Sequence, residues 1–503
     1  MFRLREQGTT VWTEMRGGLA TFLTLSYILF VQPAILSAAG MPQNDVFVAT
    51  CVCSALACFL MGLVANYPFA LAPAMGHNVF FVFTVCFAMG FTWQEALAAN
   101  LMAGLVFVAL SFFGFRAAIM HAVPTSLKYA IAVGVGLLIA FVGLQYGGVV
   151  ARQPVVLVRL GNLASPVVLV TLAGIALTAV LLVLRLKGAI LLGIVGTAAV
   201  ALAVTYGLEP QVRPEAGLEL IPAERLSARQ AGEAVEPVAP EQARLVLAEW
   251  PNEFHWPRFP TTTWWAFSFR GLFTRHGLAD VLLVVFIFFF LDLFDTVGTL
   301  IGVSERAGFL DADGRLPRAR WALFSDAVGT VVGAAVGTST ITTYVESAAG
   351  VKEGARTGLA AIVTGLLLLA SLLLAPLVQV FGKGVQFVHA ETGAALVQVA
   401  TGTGAVVNFY PVIAPVLVII GVMMMASVRT INWFDYDEAI PAFLTIVVMQ
   451  FSLSITDGIA WGFISYVLLK LVAGRAREIH ALVGVFAVLF VAMYVARAML
   501  GGF

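Results

Sequence analysis

The feature that leaves this chain the fewest options is a succession of apolar runs, each near the length of a bilayer crossing. A membrane helix needs about 20 mostly apolar residues. Such runs lie near 17–38, 45–65, 73–89, 95–113, 127–146, 166–185 and 188–206. A second set lies near 279–302, 321–336, 339–351, 356–381, 411–428, 439–455 and 457–473. The reading is an all-α polytopic membrane protein of about fourteen spans, seven followed by seven. A further apolar segment over 482–499 is either a fifteenth span or a helix lying in the interface.

Composition closes off the alternatives. The chain of 503 residues is 60% hydrophobic and 11% charged, with a mean hydropathy of +0.97. That leaves too little polar surface to cover a soluble particle. Lys+Arg 28 and Asp+Glu 28 cancel, so no basic excess exists to hold a phosphate backbone, and nucleic acid is excluded as a partner. Arg3, Arg5 and Arg16 precede the first apolar run as in a signal peptide. That run is too long, and too many others follow it, for a removable leader. Cys51, Cys53, Cys58 and Cys86 sit in apolar runs without a Cys-x-x-Cys pair or a nearby His. They read as small buried hydrophobes, with no metal site or cofactor implied.

Cytoplasmic loops collect Lys and Arg. With the N-terminus inside, seventeen basic residues from Arg3 to Arg477 fall on internal segments, against Arg152, Arg159 and Lys383 on short external loops. A miscount of one span in the first half would destroy that asymmetry. The polar stretch over 207–276 falls between the two sets of seven and reads as an external insertion, a small cap with a partly disordered middle as the competing possibility. Loop closure varies slowly with length, so removal of about 212–250 is expected to be tolerated.

The two halves resemble each other around the third span of each. MGLVANYPFALAPAMGHNVFF (61–81) and VGAAVGTSTITTYVESAAGV (332–351) both pass from a Gly/Ala-rich helix end through a short non-helical stretch into a resumed apolar helix. Seven spans per repeat make the repeats inverted. Pro68 and Pro73 break span three by removing N–H donors. The β-branched, hydroxyl-rich run Thr338–Tyr344 favours an extended segment within span ten. Inverted repeats with interrupted helices point to a secondary transporter with its site at the midplane.

Ionisable residues inside spans are costly and usually functional. Four acids qualify: Asp292, Asp295, Asp326 and Glu346. Glu346 falls at the start of the half-helix of span ten, where backbone N–H groups and the helix dipole favour an anion such as its carboxylate, with a capping role as the alternative. Asp295 lies mid-span with Gly298 and Thr299 one turn on, and Asp292 one turn earlier. Asp326 reads as structural support. Asn78, at the restart of span three, is taken as the pseudo-symmetric counterpart of Glu346 and carries both a donor and an acceptor. His77 beside it reads as a packed residue. No nucleophile–base pair or filter motif is present, so the chain does not read as an enzyme or channel.

The stretches TFLTLSYILFVQPAILSAAGM (21–41), VFVATC (46–51), NYPFALAPAMGHNVFF (66–81), FFFLDLFDTVGTLIGVSERAG (288–308), VGTSTITTYVESAAGV (336–351) and DEAIPAFLTIVV (437–448) with ITDGIAWGFISYVLLKLV (455–472) together resemble the AzgA-like branch of nucleobase permeases, the hypoxanthine/guanine/adenine transporters. The resemblance implies a seven-plus-seven inverted fold. Its core domain takes 1–113 and 277–381, and its gate domain takes 114–206 and 382–503. It implies a homodimer in the inner (plasma) membrane that imports a purine nucleobase with protons, Na⁺ being the alternative coupling ion. It places Asp295 and Glu346 at the base, with Tyr344, Thr299 and Asn78 beside them. Asp295, Glu346, Asp292 and Asp326 are the proton-coupling candidates. Ala74, His77 and the long insertion depart from the family pattern. A xanthine/uracil permease, or an anion exchanger of the same general fold, is the alternative.

Overall fold

The computed structural model describes residues 2–112, 123–153, 157–208, 218–230, 234–250, 257–311, 316–382, 384–390, 392, 394–400 and 407–499. It is mostly helical, and every apolar interval expected from the sequence contains a helix. Nine helical stretches among the described residues are long and apolar enough to cross a membrane. They are Val11–Ser37, Gln43–Ala65, Trp93–Ser111, Thr125–Tyr146, Pro166–Val183, Ala189–Gly207, Leu278–Ser304, Gly358–Val378 and Ile455–Val472. Met75–Ala88, Ala414–Thr430 and Ala481–Val495 are shorter apolar helices. Arg116, Arg315 and Lys383 of the charge map lie outside the described residues.

The chain forms two compact units, Met1–Ile139 with Pro257–Leu373 and Gly421–Phe503, and Ala140–Trp256 with Leu374–Ile420. In the first unit, α1 (Val11–Leu25) and α2 (Ile28–Ser37) make an almost continuous span with a two-residue turn at Ser26–Tyr27. Next, α3 (Gln43–Leu60) widens into a π-helical turn, Met61–Ala65, and stops at Asn66 in the left-handed region, φ 52°. Strand β1 (Leu71–Pro73) and helix α4 (Met75–Val79) follow, and α5 (Trp93–Phe112) comes after a π-helical continuation. In the second half of the chain, α6 (Leu278–Ala307) and α7 (Ala319–Val336) lead into strand β2 (Ile341–Thr343), α8 (Ser347–Lys352) and α9 (Gly358–Ala370).

These helices approach closely through small residues, as membrane packing favours. A Cβ on Gly358 would lie 2.0 Å from the carbonyl oxygen of Gly62, so α9 crosses the end of α3 backbone to backbone. Gly337 ends α7 at φ 113°, where a side chain would be strained and would strike Thr263.

The expectation of an all-α protein with only two short extended breaks needs correction in the second unit. There Val150–Gln153 and Leu157–Leu160 form an antiparallel hairpin. Four further strands build one sheet in the order Leu218–Pro222, Ala395–Ala400, Gln386–His389, Ala243–Val246. Its outer strands come from the polar insertion and its inner two from the segment preceding Ala414–Met424. The insertion therefore pairs its backbone and is not a passive loop. Alternating sequences such as LELIP and ALVQVA favour strands, a signal that a search for 20-residue apolar runs passes over. The backbone of Leu247 bonds the Thr205 hydroxyl at 3.1 Å, tying the insertion to the end of Ala189–Gly207.

Candidate functional site

Strands β1 and β2 pair antiparallel, Leu71 with Thr343, Ala72 with Thr342 and Pro73 with Ile341. Reciprocal bonds extend the ladder, from Ala74 N to Thr340 O at 3.0 Å and from Tyr344 N to Ala70 O at 2.9 Å. The bonded positions have even numbers, so the missing N–H of Pro73 falls between them and costs the ladder nothing. Buried non-helical backbone must find partners, and side chains complete the set. Ser347 Oγ accepts from Ala70 N at 3.0 Å, and Cys58 Sγ accepts from Leu71 N at 3.2 Å. Cys58 is thus more than a small hydrophobe.

The hydroxyl-rich run is anchored residue by residue. Thr338 and Ser339 each accept from Gln32 Nε2, at 2.9 and 3.0 Å. Thr340 donates to Asn100 Oδ1 at 2.6 Å. Thr342 and Thr343 point to opposite faces, as strand neighbours must, so Thr342 donates to Asp295 Oδ2 at 3.2 Å and Thr343 to Asp326 Oδ1 at 3.2 Å.

The four acids separate accordingly. Asp292 and Asp326 are buried, and Thr296 lies against both, 3.5 Å from Asp292 Oδ1 and 2.7 Å from Asp326 Oδ2. Thr330 adds a bond to Asp292 Oδ2 at 3.1 Å. The pair fastens α6, α7 and β2 together. Asp295 is exposed one turn on, beside Gly298, where a Cβ would meet nothing within 4 Å, and the half-buried Thr299.

Glu346 occupies the cap position of α8, but its side chain makes no capping bond. Instead its Oε1 accepts from the Tyr27 hydroxyl at 3.0 Å. Tyr344 is buried and donates to the Pro73 carbonyl at the end of β1. Asn78 is fully buried, its Nδ2 donating to Gln32 Oε1 and its Oδ1 accepting from Ser339. His77 is buried, and its Nε2 has no partner among the described residues.

Asn78 lies within α4 and Glu346 at the cap of α8, each where a helix resumes after its strand. Tyr27 and Gln32 escaped the sequence reading altogether. A tyrosine and a glutamine inside the apolar run TFLTLSYILFVQPAILS were the available signal. Asp295 is exposed and Thr299 and Glu346 are half-buried, whereas Asn78 and Tyr344 are buried.

Residues 13–400 match the Permease family. The chain is 39% identical to a guanine/hypoxanthine permease of Bacillus subtilis, PbuO, over 97% of its length and 98% of that protein. The chain belongs to the nucleobase permease family. The permease is also 37% identical to an adenine permease of Escherichia coli, AdeP, over 98% of its length and 94% of that protein. In fold it resembles the transmembrane domain of a cyanobacterial bicarbonate transporter, BicA, with a TM-score of 0.55 at 13% identity, covering 90% of the permease and 97% of that chain. A murine Solute Carrier 26 anion transporter, member A9, in the inward-facing state gives 0.56 at 11% identity over 92% and 68%. At these identities the likeness concerns the fold alone.

Proposed function

We propose that this permease imports a purine nucleobase, hypoxanthine, guanine or adenine, by proton symport. The observation that carries the reading is the placement of two accessible carboxylates at one strand crossing, Asp295 against Thr342 and Glu346 two residues beyond Tyr344. A neutral purine presents N–H donors along an edge, which carboxylates accept, while its faces suit an apolar slot. The names of the two bacterial relatives support a purine as cargo.

In this reading Asp295, Glu346 and Thr299 face the base, and Tyr344 and Asn78 hold the crossing that presents them. Asp295 carries the coupled proton, with Glu346, Asp292 and Asp326 as the other candidates. The chain crosses the inner membrane fourteen times as two inverted sets of seven, N-terminus in the cytoplasm. Core segments 1–113 and 277–381 carry the site, and gate segments 114–206 and 382–503 pair in a homodimer. Anion exchange is opposed by the two carboxylates, which repel an anion.

Uptake of radiolabelled hypoxanthine, competed with unlabelled purines, xanthine, uracil and bicarbonate with and without a protonophore, tests the proposal. Displacement by purines and collapse with the protonophore are expected. Displacement by bicarbonate alone would refute it.

A further inference from the structure

We infer that Tyr27 is a positioning residue for the Glu346 carboxylate, fixing the plane in which it meets the base; this rests on the purine reading above. Tyr27 is 3% exposed and lies in the two-residue turn between α1 and α2. Its backbone is held there, since Phe30 N and Val31 N both donate to Tyr27 O at 3.1 Å. The hydroxyl reaches across 319 positions of sequence to Glu346 Oε1.

Three observations separate this contact from ordinary packing. First, the carboxylate makes no capping bond to the first turn of α8, although it stands where a cap would, and its local partner is its own backbone N–H alone. Second, the neighbouring hydroxyl of Tyr344, which also meets Tyr27, directs its single hydrogen to Pro73 O. A tyrosine carries one O–H, so the hydrogen that reaches Glu346 is that of Tyr27. Third, α1 is seated firmly against α8. A Cβ on Gly350 would lie 2.3 Å from Thr21 Oγ1, and one on Gly17 3.1 Å from Gly350 O. The anchor for the Glu346 side chain therefore comes from a rigid span outside the strand crossing.

A carboxylate accepts best near its own plane. With Oε1 held, that plane is set before the base arrives, and the ordering cost falls outside the binding step. Without Tyr27 the carboxylate keeps only its own backbone N–H as a partner, and each purine must complete its ordering.

The test uses purified full-length protein as wild type, Tyr27→Phe, Glu346→Ala and the double variant. Equilibrium binding of radiolabelled hypoxanthine and the unfolding midpoint of the ligand-free protein are measured together. Tyr27→Phe is expected to bind about 5- to 10-fold more weakly, with its midpoint within about 2 °C of wild type. The double variant is expected to match Glu346→Ala, because Tyr27 then has no carboxylate to hold. Unchanged affinity in Tyr27→Phe, a loss accompanied by a lower midpoint, or a further loss in the double variant would each overturn the proposal. Wild-type protein that binds no purine would instead overturn the purine reading, and this proposal with it.

Discussion

Asn78 and Glu346 stand at the two helix restarts that follow β1 and β2, the amide fully buried within α4 and the carboxylate half-buried at the cap of α8. A Cβ at Gly76 would lie 2.8 Å from Val135 Cγ1, so the α4 side of the crossing is closed by packing. The two acids that face the base in the proposed reading, Asp295 and Glu346, both lie in the second half of the chain, on α6 and at the cap of α8.

Asp295→Asn is expected to retain weak purine binding and to lose accumulation in response to a pH step. Asparagine keeps the size and still meets Thr342, but it neither takes up nor releases a proton. Uptake into proteoliposomes with an imposed pH gradient checks this. Normal gradient-driven accumulation would move the coupling role to Glu346, Asp292 or Asp326.

Gln32→Ala is expected to destabilise the protein by about 1–3 kcal/mol, because it strips the acceptor from Asn78 and the donor from Thr338 and Ser339, all buried. Asn78→Ala acts on the same network, so the double variant should cost less than the two losses added. Thermal unfolding in detergent measures both. Additive losses would show that the two amides act independently.

How far the fold was legible follows from the physics of each element. Apolar runs fix helices because every backbone group must bond internally in lipid. Pro68, Pro73 and the Thr338–Tyr344 run marked the breaks because they fail that demand locally. The pairing register was not legible, because three-residue strands carry no pattern that says which residues face each other. Tyr27 was missed because a tyrosine in a span is usually read as packing, and only the fold brings it to Glu346. The four-stranded sheet was missed because strands of four to six residues leave no mark on a 20-residue average.

Gly358→Ala is expected to cost about 1–3 kcal/mol or more, since the added methyl meets backbone that cannot move aside. Gly484→Ala, where a Cβ meets nothing within 4 Å, serves as the control and should be neutral or stabilise by up to about 1 kcal/mol through helix propensity. Equal midpoints for the two variants would mean that α9 and α3 are not in backbone contact at Gly62.

Deletion of 212–250 removes both outer strands of the sheet, Leu218–Pro222 and Ala243–Val246, and leaves the inner pair with open edges. Open edges invite pairing between molecules. The shortened protein is therefore expected to aggregate on size-exclusion chromatography, contrary to the tolerance expected from loop closure alone. A monodisperse deletion variant would show that the two inner strands are stable by themselves.

The most direct test of the central claim is equilibrium binding of radiolabelled hypoxanthine to wild-type and Glu346→Gln protein, each confirmed as folded by its unfolding midpoint. Glutamine keeps the length of the side chain but turns an acceptor toward the base into a donor, a mispairing worth roughly 1–3 kcal/mol. A loss of about one to two decades in affinity with an unchanged midpoint is predicted. Equal affinity in the two proteins would contradict it and reduce Glu346 to a residue that only fastens span ten to Tyr27.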